Sequence, residues 1–267
     1  MNIPMSTGKD GAVGQPTTNF ADDVFSMWNY TNLFGSWNHG FFSAPGAWVD
    51  AAHKNGTNIM SGIKFFESWI DGAWMDLADN STFNLKNTDG TYKYVKPMIN
   101  CLMYFGADGI NYNWEDTGYT NETTIAFNKA LYKEAAACGF DNFHLGLYTA
   151  MSSIVGNPNA LFGDETGRTA HTMLNYAASD FSYNMGASVR KAEEVMGTSE
   201  GLYAGVWIVS MDRGWSRLNA TDDDKRCGIC LWGEHNASRF WTYNSGADAY
   251  EAQSNYQSLL ERAFSGG

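Results

Sequence analysis

The segment Asp108-Gly109-Ile110-Asn111-Tyr112-Asn113-Trp114-Glu115 sets an ionisable acid two residues after a neutral amide. It reads as a short buried strand. Side chains alternate across a strand, so Asn111, Asn113 and Glu115 share one face, and Ile110, Tyr112 and Trp114 share the other. Asn113 and Glu115 then stand about 6–7 Å apart, from the rise per strand residue. A carboxyl group can give a proton in one step and take one back in the next. A partly apolar setting among Tyr112, Trp114 and neighbouring rings is expected to raise the pKa of Glu115. Asn113 cannot act as a strong nucleophile or base, but it can hydrogen-bond to a reacting group and orient it. The plainer alternative for Glu115 is a surface acid at a strand end. Asn111 reads as a satisfied structural amide. Asp108 reads as a structural residue, either in a turn or holding the strand.

Short apolar or aromatic runs elsewhere supply the partners for that strand. The expected strands are Asn2–Met5, Tyr30–Ser36, Asn58–Phe66, Gly109–Glu115, Phe143–Thr149, Phe181–Asn184, Tyr203–Val209 and Gly228–Gly233. Between them the spacing predicts helices over Pro45–Asn55, Val95–Phe105, Thr120–Cys138, Gly186–Met196 and Asp248–Phe264, with Gly56 and Gly139 as stops. Strands alternating with helices imply parallel βαβ units. Eight such units close into a (β/α)8 TIM barrel, an α/β fold whose usual length is close to this chain's 267 residues. No linker and no internal repeat divides the chain, so one domain over 1–267 is expected. Polar stretches at Ile70–Tyr94 and Arg217–Lys225 read as loops, and Gly163–Gly167 as a turn. Barrel active sites lie at the carboxyl ends of the strands. Glu115, Tyr148, Asn184, Trp207 and Trp232 all fall near such ends.

Composition narrows the ligand. The net charge of −12 excludes the basic footprint of a nucleic-acid binder and disfavours an anionic membrane surface. Ten Trp and fourteen Tyr, set among few charges, suit a neutral ring-shaped ligand such as a sugar. An aromatic-rich core would use the same residues. No apolar run is long enough for a membrane span, and no signal segment follows Met1. The protein is expected to be secreted or at the cell surface with its signal removed, with a cytoplasmic place as the alternative. Cys227 and Cys230 form an isolated C-x-x-C without zinc-finger partners and are expected to be buried free thiols. His39, His53, His144, His171 and His235 show no metal-ligand spacing, and His53 reads as capping or packing a helix. Asp222–Asp224 reads as a solvated acidic loop. No metal, nucleotide or other cofactor is expected, and the protein is expected to be a monomer. The Asn-x-Ser/Thr triplets at Asn29, Asn55, Asn80, Asn121, Asn219 and Asn236 carry little weight in an Asn-rich chain.

An acid beside an amide suits one chemistry in particular. Glycosidic cleavage needs a proton donor for the leaving oxygen and a group that stabilises the oxocarbenium-like transition state, usually a second carboxylate. Where an amide stands instead, a substrate with a 2-acetamido group can supply its own nucleophile. Its carbonyl attacks the anomeric carbon and forms an oxazoline, the substrate-assisted exception to the two-carboxylate rule.

The motif resembles the D-G-x-x-x-N-x-E signature of glycoside hydrolase family 85, the endo-β-N-acetylglucosaminidases. More distantly it is similar to the D-G-x-D-x-D-x-E motif of family 18 chitinases, with Asn111 and Asn113 in place of Asp. Upstream, Trp28-Asn29-Tyr30 through Phe34, Pro45, Trp48, Ala51-Ala52-His53-Lys54-Asn55-Gly56 and Ile59–Gly62 are similar to the family 85 second strand, proline loop, helix and third strand. Phe181–Asn184, Tyr203–Gly205 and Asp212-Arg213-Gly214 echo later strands more loosely. The resemblance implies a (β/α)8 barrel that cuts between the two GlcNAc units in the core of N-linked glycans. It implies Asn113 as the residue that orients the acetamido group, Glu115 as acid/base and Tyr148 as lining the same subsite. Asn184, Trp207, Trp215 and Trp232 are expected substrate contacts. The Gly205–Gly214 segment is longer than its family counterpart. The first expected strand, Asn2–Met5, is short, which suits a chain trimmed from a larger multidomain protein, and the β-sandwich modules that often follow such a barrel have no counterpart in the sequence. Two alternatives stay open: a glycan-binding barrel without turnover, and a chitinase-like hydrolase of GlcNAc polymers.

Overall fold

The computed structural model describes residues 2–5, 28–35, 44, 46–63, 85–113, 121–148, 150–156, 159–175, 184–207 and 227–234, with positions 251, 254 and 258. Ten strands appear among them: β1 (Asn2–Met5), β2 (Leu33–Gly35), β3 (Asn58–Ile63), β4 (Gly109–Asn113), β5 (His144–Tyr148), β6 (Gly163–Asp164), β7 (Gly167–Arg168), β8 (His171–Leu174), β9 (Leu202–Trp207) and β10 (Gly228–Glu234). Eight close into a barrel in the order β1-β10-β9-β8-β5-β4-β3-β2, every pair parallel. Closure leaves no strand edge unpaired, and eight strands leave an interior that side chains can fill. The remaining two, β6 and β7, form a small antiparallel hairpin ahead of β8, where the sequence reads as turn chemistry.

The helices end where the sequence places their stops. α1 (Gly46–Lys54) is followed by Gly56 at φ 72°, whose N–H reaches the His53 carbonyl at 3.1 Å. α2 (Val95–Phe105) has its expected bounds and is capped by Gly106 in the left-handed region. α3 (Asn121–Ala137) gives way to Gly139 at φ 72°. α4 (Asn159–Phe162) is short, and α5 (Asn184–Met196) starts two residues earlier than expected. Of the expected helix over Asp248–Phe264, positions 251, 254 and 258 are described and are helical. Among the described residues no helix is long and apolar enough to cross a membrane.

One expected strand is corrected. The sixth barrel strand is β8, not Phe181–Asn184: Asn184 opens α5, and 181–183 lie outside the described residues. Strand β8 has four residues, of which only Thr172 is β-branched, so its intrinsic strand signal is weak. Pairing with β5 on one side and β9 on the other holds it in place.

Alternation along the strands builds two cores. Ile110, Tyr112, Leu145 and Leu147 face outward onto Val95, Met98, Ile99 and Leu102 of α2 and Phe127 and Leu131 of α3. Leu33, Met60, Tyr148, Met173, Tyr203 and Cys230 fill the barrel. Trp28 and Trp48 pack on Phe34, with ring centroids 4.9 and 5.6 Å away, so both rings serve the structure. All four cysteines are free; Cys230 is buried and the other three are partly exposed.

The amino-terminal floor of the barrel carries an acid-sensitive cluster. The rings of His144 (β5) and His171 (β8) lie 5.0 Å apart. Nδ1 of each, and Arg168 Nη1, are buried with no hydrogen-bond partner among the described residues. Burial, then the nearby His144 and Arg168, push the His171 pKa down to about 3. Burial also lowers that of His144, against the pull of Asp108 and Glu200. A folded-state pKa below the unfolded value favours the neutral ring, so this stabilisation is complete above pH ~6.5 and is lost as pH falls from there towards 3. On the order of 3 kcal/mol should be lost to His171 by pH 4, at about 1.4 kcal/mol per pKa unit. Urea unfolding at pH 7 and pH 4 should therefore show a smaller loss for His171→Gln than for the wild type. Equal losses would show that the floor histidines do not govern acid lability.

Candidate active site

Five strand ends meet at one rim, and four of the expected residues, Asn113, Tyr148, Trp207 and Trp232, lie on them. β4 ends at Asn113 and β5 at Tyr148, and the two are register partners. β9 ends at Trp207, which pairs in register with Trp232 on β10. β10 continues to Glu234, an acid at the carboxyl rim just beyond the expected end of that strand. β8 ends at Leu174, and Asn175 follows. Trp114, Glu115 and Trp215 lie outside the described residues. Asn184 sits at the start of α5, so its expected place at a strand end belongs to Asn175.

Beneath the rim the lumen is shaped by a glycine. Asn111 is buried, and a Cβ on Gly146 would come within 2.8 Å of its Oδ1 and 2.9 Å of Met60 Cε. The glycine is what lets an amide occupy the lumen at that level. Tyr112 corrects one expectation. It packs outside the barrel, and its hydroxyl donates to Asn128 Oδ1 on α3 at 2.6 Å. Alternation directs it away from the lumen, so it forms no part of an apolar wall around an acid there. Burial raises its pKa well above the ordinary tyrosine range.

Asp108 holds the other end of β4. One carboxylate oxygen accepts the Ile59 N–H of β3 at 2.8 Å and His53 Nε2–H of α1 at 2.8 Å. A carboxylate only accepts, so His53 carries its proton on Nε2. Asp108 is thus structural, as expected, and His53 is tied to β4.

Tyr148 is 7% exposed, packed among Leu33, Met60 and Met173. Its Oη lies 3.0 Å from Asn175 Nδ2. The same nitrogen reaches the Ala150 carbonyl at 3.3 Å, and the Asn175 N–H reaches the Met151 carbonyl at 2.8 Å. Ala150 has φ 57°, uncommon for a residue with a Cβ. Asn175 therefore pins a strained turn directly behind Tyr148. The sequence offers a single clue to Asn175: an amide after a short apolar run, the same pattern that marks Asn113. No three His, Cys, Asp or Glu residues among those described converge as metal ligands.

The glycosyl hydrolase family 85 profile matches residues 8–156, more than half of the chain and the whole Asp108–Glu115 motif. The chain belongs to this family. Solved structures agree with this family 85 chain in fold. The Endo-D glycoside hydrolase domain of Streptococcus pneumoniae R6 superposes with TM-score 0.64 at 18% identity, over 95% of this chain and 42% of that one. The catalytic domain of a family GH18 chitinase from the fern Peteris ryukyuensis gives 0.56 at 11%, over 97% and 98%. An endo-beta-N-acetylglucosaminidase from Cordyceps militaris gives 0.54 at 12%, over 97% and 89%. The family 85 chain thus spans less than half of the Endo-D domain's length. No curated protein sequence matches it.

Proposed function

We propose that residues 1–267 form the catalytic barrel of a glycoside hydrolase, an endo-β-N-acetylglucosaminidase acting on N-linked glycans. The bond cut is the β-1,4 link of the diacetylchitobiose core, by a retaining, substrate-assisted route. The observation that carries this reading is the register pairing of Asn113 with Tyr148 at the rim, two residues before Glu115 in a family 85 chain.

Asn113 and Tyr148 hold the acetamido group of the sugar on the non-reducing side of the bond. Its carbonyl oxygen forms a bond to the anomeric carbon as the glycosidic C–O bond breaks. Glu115 gives its proton to the departing GlcNAc oxygen. The Glu115 carboxylate then takes a proton from water, which attacks the anomeric carbon and opens the oxazoline with retained configuration. Trp207, Trp215 and Trp232 supply ring faces for the glycan, since sugars pack their C–H faces on aromatic rings. Asn184, at the start of α5, is a further polar contact.

Mass spectrometry of a high-mannose glycoprotein incubated with the protein tests this reading. The expected product keeps one GlcNAc on asparagine. An unchanged glycoprotein mass would overturn it, and so would a preference for chitin oligomers over N-glycans.

A further inference from the structure

The floor of the barrel, at the opposite end from the rim, holds a cation without a counter-charge. Arg168 ends β7, and its guanidinium carbon stacks 4.6 Å from the centre of the Phe162 ring. Gly201, just before β9, makes room for it. A Cβ there would come within 2.5 Å of Arg168 Nη1 and 2.6 Å of His171 Cδ2. Nη1 of Arg168 and Nδ1 of His144 and His171 are closed off from solvent with no hydrogen-bond partner, yet all three side chains are partly exposed. The cluster therefore reaches solvent at the amino-terminal face, with bare nitrogens beneath.

Charge and proton count say what would satisfy those nitrogens. Ion pairs among the described residues engage His53, Lys96, Lys129 and Lys191, and none engages Arg168. Burial pulls the Arg168 pKa down against the opposing field of Tyr132, Glu200 and Tyr203, so its charge is under-compensated. A guanidinium only donates hydrogen bonds, and a neutral imidazole can donate one. His144 Nε2 lies 3.0 Å from Asn58 Nδ2 and 3.1 Å from Asn142 Oδ1, a donor and an acceptor. With Asn58 donating to Nε2, the ring carries its proton on the bare Nδ1. We propose that this cluster binds a small inorganic anion of chloride size, held by Arg168 Nη1–H and by the Nδ1–H groups of His144 and His171. Ring centroids only 5.0 Å apart, and a guanidinium set against the Gly201 backbone, keep the ligand small.

Urea unfolding at pH 7 in mixtures of sodium chloride and sodium gluconate, at fixed ionic strength, tests this. The folding equilibrium constant should rise about tenfold for each tenfold rise in chloride above its Kd. Arg168→Gln should lose that dependence. Glu200→Gln should tighten chloride binding by about 2- to 5-fold, because the exposed Glu200 carboxylate acts on the same guanidinium and competes with the anion. Bromide in place of chloride should give an anomalous diffraction peak beside Arg168 Nη1 in wild-type crystals, a measurement that needs no variant to fold. Wild-type stability that ignores chloride at fixed ionic strength would overturn the proposal. So would an equal chloride dependence in Arg168→Gln, or crystals with water and no bromide at Nη1. None of these readouts involves glycan turnover, so they decide the floor site whatever the barrel cleaves.

Discussion

Glu115→Gln should abolish glycan release, by about 10²–10⁴-fold in kcat, while glycan binding persists. The glutamine fills the same space and still hydrogen-bonds, but it has no proton to give to a leaving alkoxide and takes none from water. Both halves of the proposed reaction therefore stop, and KM should change little because ground-state contacts are kept. Asn113→Gln should fail differently. The added methylene moves the amide off the acetamido group, so oxazoline formation from the glycan collapses. A ready-made oxazoline supplied as donor should still be accepted, since the step that needs Asn113 has already been completed. Release of glycan by Glu115→Gln at near the wild-type rate would exclude the mechanism. Equal losses of Asn113→Gln on glycan and oxazoline donors would remove Asn113 from its proposed role.

Gly109→Ala should unfold or severely loosen the barrel, with a cost on the order of 3–5 kcal/mol. Gly109 opens β4 opposite His144 of β5. A Cβ there would fall inside the His144 carbonyl oxygen, a backbone atom held by its own ladder. Nothing flexible can move aside, so the two central strands must separate. Gly146→Ala provides the contrast. Its new Cβ meets the side chains of Asn111 and Met60, at 2.8 and 2.9 Å, which can shift rotamer, and its cost should be nearer 1–3 kcal/mol. Urea denaturation of the two variants should separate them clearly. Equal midpoints would mean that β4 and β5 are not packed as described. Because β4 carries Asn113 and leads to Glu115, any folded Gly109→Ala protein should also lose activity out of proportion to its stability.

The sequence was most legible where a local rule coincided with the tertiary demand. α2 has its expected bounds because an apolar face and a left-handed glycine stop agree with each other. The alternation in β4 held: Ile110 and Tyr112 face the helices, and Asn111 is buried at Gly146 in the lumen. The same alternation shows why Tyr112 was a poor candidate for a wall beside Glu115. The sixth strand was misplaced because Phe181–Asn184 has aromatic strand character, whereas His171–Leu174 has little. Barrel pairing, which is non-local, decides between them. Asn175 was hidden by that same error, since its meaning depends on lying beside the Tyr148 hydroxyl, 27 residues away. The floor histidines were equally invisible, because His144 and His171 come together only when β5 pairs with β8. The rim tryptophans Trp207 and Trp232 fall where strand ends were expected, as register neighbours.

Cys230 gives the barrel an internal clock. Its sulfur sits in the lumen, 3.5 Å from Met173 Sδ, 1% exposed, and burial pushes its thiol pKa up to about 12. Alkylating reagents should consume Cys101, Cys138 and Cys227 early, since these are partly exposed, and leave one laggard sulfhydryl. The labelling rate of that laggard then counts how often the staves part, without denaturant, and ranks any set of variants by it.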